Sequence, residues 1–314
     1  MVACLLGLLV LTTVACTPPA ERSPYVVTVD VTSWIEALGS DDLFESEPAA
    51  DGLTALGPAV MPALESAYGR EEPAIRRGII EVLQEIDAPG RDSLLLRAAQ
   101  DPDVDVRTQA ILGLGRSHDE RARSVVEAAL EDREPAIRDA AVEACATVCL
   151  TPSALRRLVD IAIHEPPILR IMRPRQTLRS LIGAENERQA TAAREAIEAA
   201  ARPLLREDSG AEERVRAALL IADLEDPAAT PWLVDVLEHG LPGADERLRL
   251  LIQAQTIQTL GAAGDATCID VLGRMSRRPT DPLKEAACQA LQRLAQRGVE
   301  GAVAESRRCT AGNG

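Results

Sequence analysis

The amino-acid sequence predicts an all-α protein, built as an α-solenoid of about eight antiparallel helical hairpins. First, a segment with an acidic residue, Pro, a branched apolar residue and Arg recurs at a nearly constant interval. Second, apolar residues follow each copy at the spacing of a helix. Third, Ala, Leu, Arg and Glu are abundant and only 2% of the residues are aromatic, a composition that favours helices over strands.

The first element is an apolar segment, VACLLGLLVLTTVA at residues 2–15, which contains no charged side chain. It has the length of the apolar part of a secretory signal and is too short to span a bilayer comfortably. A cysteine follows directly, and the last residues resemble the lipobox of a bacterial lipoprotein signal, although Thr stands where Leu is usual. The matching positions are Thr13, Val14, Ala15 and Cys16.

This resemblance implies cleavage before Cys16 and lipidation of that residue. We therefore expect 1–15 to be a signal peptide and 16–31 a tether. The folded body is then exported and lipid-anchored at the cell envelope, on the periplasmic face or at the outer membrane. An ordinary signal peptide, cut near Ala15 or Ala20, and an uncleaved anchor are the alternatives.

A repeat of about thirty-one residues organises most of the remaining chain. Its clearest copies read EEPAIRRGIIEVL, DPDVDVRTQAILGLG and DREPAIRDAAVEACATV. Their arginines, Arg76, Arg107 and Arg138, follow one another at a step of 31 residues. Fainter copies carry Arg170, Arg216, Arg249 and Lys284. We predict a solenoid over 32–298 and a flexible tail over 299–314.

Each copy predicts a pair of short antiparallel helices. The acidic residue and Pro ahead of each arginine suit a helix start, because a carboxylate caps free N–H groups and Pro fits the first turn. Apolar residues after the arginine then bury one face of the second helix, as with Ile79, Ile80 and Leu83. Because a lone hairpin cannot cover its own apolar face, the hairpins must stack. Glycines after Leu or Ile are expected to end helices in a left-handed conformation, namely Gly57, Gly115, Gly183 and Gly261.

The pattern of acidic residue, Pro, Val or Ile, Arg and an Ala-rich helix ending in Leu-Gly resembles HEAT repeats, in particular the short variety of the phycobilin lyases. The segment WIEALGSDDLFESEPAADGLTALGPAVMPAL, residues 34–64, resembles a first repeat without the arginine. The resemblance implies an armadillo-type superhelix and says little about activity, since this architecture serves many tasks.

The resemblance also implies a structural role for the repeat arginines. In HEAT-like stacks the arginine pairs with an acidic residue of an adjacent turn, a role that suits its planar guanidinium. A ladder of anion-binding sites is the alternative. The ladder residues are Arg76, Arg107, Arg138 and Arg216.

The regular pattern breaks in PPILRIMRPRQTLRS, residues 166–180. Pro174 falls where the other copies place a buried apolar residue, so the helix is expected to restart near it. Between residues 156 and 179, six arginines stand against two acidic residues within an acidic chain. One interpretation is a junction loop with solvated arginines. The other is a partner-binding epitope centred on Arg170, Arg173 and Arg175.

Five cysteines follow Cys16, so they cannot all pair within one chain. Cys268 and Cys288 flank a turn near residue 278, and antiparallel helices would bring them level for a disulfide. The alternative is that such cysteines fill core positions as small apolar residues. No metal site and no cofactor are predicted, because Cys-x-x-Cys is absent from the sequence and the three histidines lie far apart, at His118, His164 and His239.

Composition and motifs limit the function. A net charge of −15 would repel a polyanion, and five aromatic residues are too few to stack bases or sugars. The sequence contains no nucleophile elbow, phosphate loop or dinucleotide motif. We therefore predict no enzyme, no nucleic-acid partner and no small-molecule substrate. The expected function is a non-catalytic protein-protein interaction scaffold, with a lyase or chaperone-like enzyme related to the phycobilin lyases as the alternative.

Overall fold

The structure of the chain, a computed structural model, describes residues 9–10, 28–69, 72–148, 151–165, 172–206, 208–278 and 281–311. Two short strands, β1 (Leu9–Val10) and β2 (Thr28–Val29), pair antiparallel, and the other regular structure in these residues is helical. The predicted all-α solenoid is confirmed. The chain divides into two compact units, Met1–Cys149 and Leu150–Gly314, where we expected a single body over 32–298. Cys16 and most of the expected signal and tether lie outside the described residues.

The first unit contains four helical hairpins, in which each second helix packs beside the next second helix. We call this row of second helices the second-helix layer. The pairs are α1 (Val31–Ala37) with α2 (Leu43–Leu56), α3 (Met61–Tyr68) with α4 (Pro73–Glu85), α5 (Arg91–Ala98) with α6 (Val104–Leu114), and α7 (Glu120–Ala129) with α8 (Pro135–Val148). The local starts follow the sequence: the Asp103 carboxylate accepts two N–H groups of α6, and Pro occupies the first position of α4 and α8.

The second unit contains four more hairpins and a final helix. The pairs are α9 (Pro152–His164) with α10 (Met172–Ile182), α11 (Glu187–Ala201) with α12 (Ala211–Asp223), α13 (Thr230–His239) with α14 (Glu246–Ala263), and α15 (Ile269–Ser276) with α16 (Lys284–Gln296). The final helix, α17 (Ala302–Ala311), packs on α15 and α16. A flexible tail over 299–314 is therefore wrong for most of that segment, because α17 continues the stack. Among the described helices, none combines the length and apolarity that a bilayer crossing requires.

The core of each unit lies between the helices of the hairpins and between neighbouring hairpins. The predicted apolar residues after the repeat arginines are buried there, and Ile79, Ile80 and Leu83 are fully inaccessible. Ala110, Ala141 and Ala287 follow the same pattern in later copies. Each large side chain of this kind stabilises the fold by about 1.5–3 kcal/mol, so stacking supplies most of the driving force.

Two of the glycines that we expected to end helices have another role. Gly115 caps α6 in the right-handed region, with φ of −60°, and Gly261 lies inside α14. A Cβ at Gly115 would lie 2.8 Å from the Cα of Ala144, and one at Gly261 would lie 2.8 Å from the Cα of Ala290. These glycines are therefore needed for the close approach of neighbouring second helices. Gly57 ends α2 with a positive φ of 59°, which favours glycine.

The predicted disulfide between Cys268 and Cys288 is wrong. Cys288 on α16 is bonded to Cys309 on α17, with Cα atoms 5.7 Å apart. The reason is that α17 packs on α16 and brings Cys309 within reach, whereas a tail would not. Cys268 is a buried free thiol whose Sγ donates to the carbonyl of Asp265, 3.0 Å away. Burial raises the pKa of this thiol to about 12.

Candidate functional site

The first repeat arginine belongs to a buried polar cluster. Arg76 donates from Nη2 to Oδ1 of Asp101 over 2.8 Å and from Nε to Oδ2 over 2.9 Å, a bidentate pair across neighbouring hairpins. The Tyr68 hydroxyl donates to Oδ2 of the same carboxylate over 2.5 Å. Burial alone would raise the pKa of Asp101, but hydrogen bonds from Arg76, Tyr68 and the Asp103 N–H lower it below its usual value. Arg76 therefore has a structural role, because its guanidinium joins two neighbouring hairpins.

Other arginines of the ladder bond mainly to carbonyl groups. Arg107 donates to the carbonyl of Asp101 over 2.7 Å, and Arg138 donates to that of Asp132 over 2.8 Å. Arg216 is only 2% exposed and donates to the Ile163 carbonyl over 2.9 Å, while burial lowers the pKa of its guanidinium. All of these contacts tie a second helix to a nearby turn or helix end.

The predicted epitope of Arg170, Arg173 and Arg175 is not assembled as expected. Arg170 lies outside the described residues, and Arg173 is exposed at the start of α10. Arg175 is wrong as a partner-binding residue, because its side chain is only 5% exposed and forms a bidentate pair with Asp223, at 2.6 and 2.7 Å. Its Nη2 also donates to the Thr259 hydroxyl over 2.9 Å.

The helix start explains this difference. Pro174 lies in the first turn of α10, which begins at Met172, so Arg175 is the fourth residue of the helix. Arg76, Arg107 and Arg138 are also the fourth residues of their helices. Arg175 thus takes the place in its hairpin that the sequence pattern assigned to Arg170.

A small pocket of about 70 Å³ lies beside this buried pair. We call it the cationic pocket. It is formed by α10, α12, α14 and α16, the second helices of the four hairpins in the second unit, which we call the second-helix layer of that unit. Its lining consists of Arg175, Arg179, Ala222, Asp223, Gln255, Gln258, Thr259, Ala262 and Arg293. Three arginines and one aspartate leave this lining with a net charge of +2, in a chain of −15.

The cationic pocket has more hydrogen-bond donors than its own residues use. Both oxygens of Asp223 accept from Arg175, while Arg179 is 60% exposed and its Nε lies 3.8 Å from Asp223. Arg293 is exposed and forms no ion pair with any residue that the structure describes. The side-chain amides of Gln255 and Gln258 likewise have no hydrogen-bond partner in the described chain. The pocket can therefore accept an anionic group from outside.

Sequence reasoning missed most of this pocket. The arginine-rich segment of the sequence includes Arg179, but no repeat motif in the sequence marks Gln255, Gln258 or Arg293. The four residues come from three hairpins, on α10, α14 and α16, and are far apart along the chain. One signal in the sequence could have indicated the glutamines. The apolar spacing predicts that one face of α14 is buried, and polar residues recur on the opposite face.

A second pocket, of about 130 Å³, lies between α12, α13 and the loop after α13. The guanidinium of Arg214 stacks over the ring of Trp232 at 5.0 Å from its centroid. At the rim, Nδ1 of His239 lies 2.8 Å from Asp235. The guanidinium of Arg214 and the imidazole of His239 in this second pocket thus already have partners within the unit.

The remaining predicted chemistry can be located as well. His164 lies 3.4 Å from Glu213 and 3.8 Å from Asp160, all three about half exposed. His239 lies at the rim of the second pocket, and His118 lies before α7. Among the residues with described positions, no three His, Cys, Asp or Glu side chains are grouped to hold a metal ion.

Residues 91–179 match the family model of HEAT repeats, which confirms the predicted repeats in this segment. A comparison of the sequence with curated proteins gives no match.

Among solved structures, the chain is similar to human deoxyhypusine hydroxylase in complex with glycerol, at 18% identity over 85% of this chain and 96% of that one, with a TM-score of 0.34. It is also similar to the complex of CpcE and CpcF of phycocyanin lyase from Nostoc sp. PCC7120, at 18% identity over 95% and 98% of the two chains, with a TM-score of 0.39. Importin beta is similar at 15% identity over 84% of this chain and 41% of that one, with a TM-score of 0.44. These likenesses concern the fold alone.

Proposed function

We propose that the chain is a non-catalytic protein-binding scaffold of the bacterial cell envelope, which carries a partner on the second-helix layer of its second unit. The observation that supports this most directly is the cationic pocket, where the exposed arginines Arg179 and Arg293 come from separate hairpins and only Arg179 has an ion-pair partner, at 3.8 Å, among the described residues. Stacked hairpins suit this role because neighbouring repeats form one extended surface.

The size and charge of the pocket favour a protein partner. A volume of about 70 Å³ is well below the roughly 300–1,000 Å³ of a typical small-molecule site, so the pocket fits a side-chain group of a larger ligand. A nucleic acid would meet the repulsion of a chain with net charge −15 beyond this pocket. A protein segment can place one anionic group locally and contact the rest of the surface with other residues.

Export and lipid anchoring through Cys16 belong to the same proposal and are supported by the lipobox-like residues 13–16. The test is metabolic labelling of the full chain in a bacterial host with an alkyne fatty acid. We expect label on the protein and its recovery with membranes, and loss of both in the Cys16→Ser variant. Label that persists in this variant would overturn the proposed attachment site.

The binding role is tested by site-specific photo-cross-linking in producing cells. A cross-linking amino acid in place of Gln258, at the pocket, is expected to give a discrete adduct with a protein. The matched control is the exposed Glu195 on α11, the first helix of its hairpin. Equal adducts at both positions, or none at Gln258, would contradict a binding surface here. Covalent transfer of a bilin to an apo-phycobiliprotein by the purified chain would instead support the lyase alternative.

A further inference from the structure

We infer that the cationic pocket binds a carboxylate from an acidic segment of the partner protein, with Arg179 and Arg293 as its principal ligands. This inference rests on the proposed function and names the chemistry of the partner. It starts from the contrast between the lining, with a net charge of +2, and the whole chain, at −15. Local charge of the opposite sign to the whole molecule selects where an acidic partner can dock.

The buried pair leaves cationic donors as the charged groups that face out of the pocket. Arg175 occupies both oxygens of Asp223, and the Thr259 hydroxyl donates to the Gln255 carbonyl over 2.8 Å while it accepts from Arg175. The Asp223 side chain is only 6% exposed, so it is shielded from a ligand. What faces outward is the guanidinium of Arg179, that of Arg293, and the amides of the two glutamines. Guanidinium groups have no acceptor, so their natural ligand is an anion with two oxygens.

A carboxylate fits better than a phosphate of a polymer. The pocket has room for a group of a few atoms, and two of its lining residues, Ala222 and Ala262, have only a methyl side chain. A glutamate or aspartate side chain brings one charge to this point, whereas a polyphosphate places further charges against an acidic surface. The donors also come from three hairpins, so a chain segment that crosses the layer can contact each of them in turn.

The test is fluorescence anisotropy with the full chain and a labelled ten-residue peptide of alternating Glu and Ser. The pocket variant is Arg179→Glu with Arg293→Glu. The control variant is Arg188→Glu with Arg194→Glu, two exposed arginines of α11 in the same unit, with an identical change in net charge. We expect the peptide to bind, the pocket variant to lose at least tenfold in affinity, and the control variant to stay within twofold.

Several outcomes would overturn the inference. Equal weakening in both variants would mean that general charge, and not the pocket, attracts the peptide. Unchanged affinity for a peptide with Gln in place of Glu would exclude the carboxylate. Competition by free glutamate at the same concentration as the peptide would indicate a small-molecule site. Because Arg179 and Arg293 are exposed, both variants should keep the circular dichroism of the parent, and Gln258→Glu offers an independent variant that should also weaken binding.

The failure of this inference differs from the failure of the proposed function. If the cross-link at Gln258 captures a protein while acidic peptides bind no better than neutral ones, the scaffold role stands and the carboxylate is wrong. If neither experiment gives a positive result, the surface itself is wrong.

Discussion

The buried cluster of Tyr68, Arg76 and Asp101 shows how a single carboxylate holds two hairpins together. The Asp101 side chain is 4% exposed, and that of Arg76 is 15% exposed. Removing one member of such a pair leaves an uncompensated charge in a poorly solvated place. The cluster is therefore worth more to stability than the exposed ion pairs of the same unit.

We predict that Asp101→Asn lowers the free energy of unfolding by about 3 kcal/mol, since Arg76 then keeps its charge but loses the bidentate carboxylate of Asp101. The matched control is Glu81→Gln, which removes the exposed pair between Arg77 and Glu81, with atoms 3.8 Å apart. That change should cost less than about 0.5 kcal/mol. Chemical denaturation of both variants measures the difference, and similar losses would contradict the importance of burial.

The same cluster predicts a pH dependence. The pKa of Asp101 is lower in the folded chain than in the unfolded chain, where it is near 3.9. Its contribution to stability is therefore complete above the unfolded pKa and is lost as the pH falls through the folded pKa. The stability difference between the parent and Asp101→Asn should stay constant above about pH 5 and shrink below about pH 4. A difference that grows in acid would give the opposite sign and refute this assignment.

At single positions, the sequence predicted residue types better than partners. The step of 31 residues identified Arg76, Arg107 and Arg138 as repeat positions, but it assigned the next position to Arg170, whereas Arg175 occupies it. Pro174 sets the helix start locally, and the register of one helix shifts with it. The pairing of Arg175 with Asp223 joins residues 48 apart, and such a contact depends on packing that no local pattern contains.

Contacts between helices of the second-helix layer depend on small residues at defined places. Gly115 lies against Ala144, and Gly261 lies against Ala290, in the same relation within each unit. The sequence suggested turns at both glycines because each follows Leu. Only the packed structure shows that neighbouring helices approach too closely for a side chain.

Gly115→Ala and Gly261→Ala should each lower stability by about 1–3 kcal/mol, because the new methyl group overlaps backbone atoms that cannot move freely. Gly69→Ala is the control, since a Cβ there would meet its nearest atom at 3.9 Å, and φ is −74°. This control should be neutral or slightly stabilising. Thermal or denaturant unfolding of the three variants checks the order, and equal effects would rule out the close approach.

The disulfide between Cys288 and Cys309 attaches α17 to the preceding hairpin and joins two cysteines with a sequence separation of 21. Cys309→Ser should lower stability by about 3 kcal/mol, the loss expected for a closed loop of this length. Hydrogen exchange over 302–311 should rise in the variant. Cys268→Ala is the control and should leave the disulfide-linked peptide intact in non-reducing mass spectrometry. If Cys268 appears in that peptide, the pairing described here is wrong.

The order of the hairpins was largely predictable from the sequence, but the final helix, α17, was not. The hairpins follow from apolar spacing, acidic residues and prolines, all of them local signals. The segment around Val303 and Cys309 has no copy of the repeat motif of acidic residue, Pro and Arg, so the sequence pattern predicts a tail there. Its helix is held by Cys288 and by contacts of Glu305 with Arg277, which the repeat pattern does not include.

For the molecule as a whole, excess negative charge opposes the compact state while stacking favours it. The chain has 49 acidic and 34 basic residues. Many arginines are already paired with carboxylates, as Arg202 is with Asp226, so the uncompensated carboxylates dominate the long-range field. Exposed pairs contribute at most about 1 kcal/mol each, and salt weakens them as well as the repulsion.

We therefore predict that the thermal unfolding midpoint of the full chain rises as ionic strength increases from about 0.01 M to about 0.15 M, over which the Debye length falls from about 30 Å to about 8 Å. Each Arg→Glu exchange adds two negative charges, so both double arginine variants carry −19 in place of −15 and should gain more from salt than the parent. Because the two variants have the same net charge, their midpoints should rise alike even though only one of them loses the acidic peptide. NaCl and KCl should act equally if screening is the cause. A midpoint that falls with salt would mean that attractive ion pairs outweigh the repulsion.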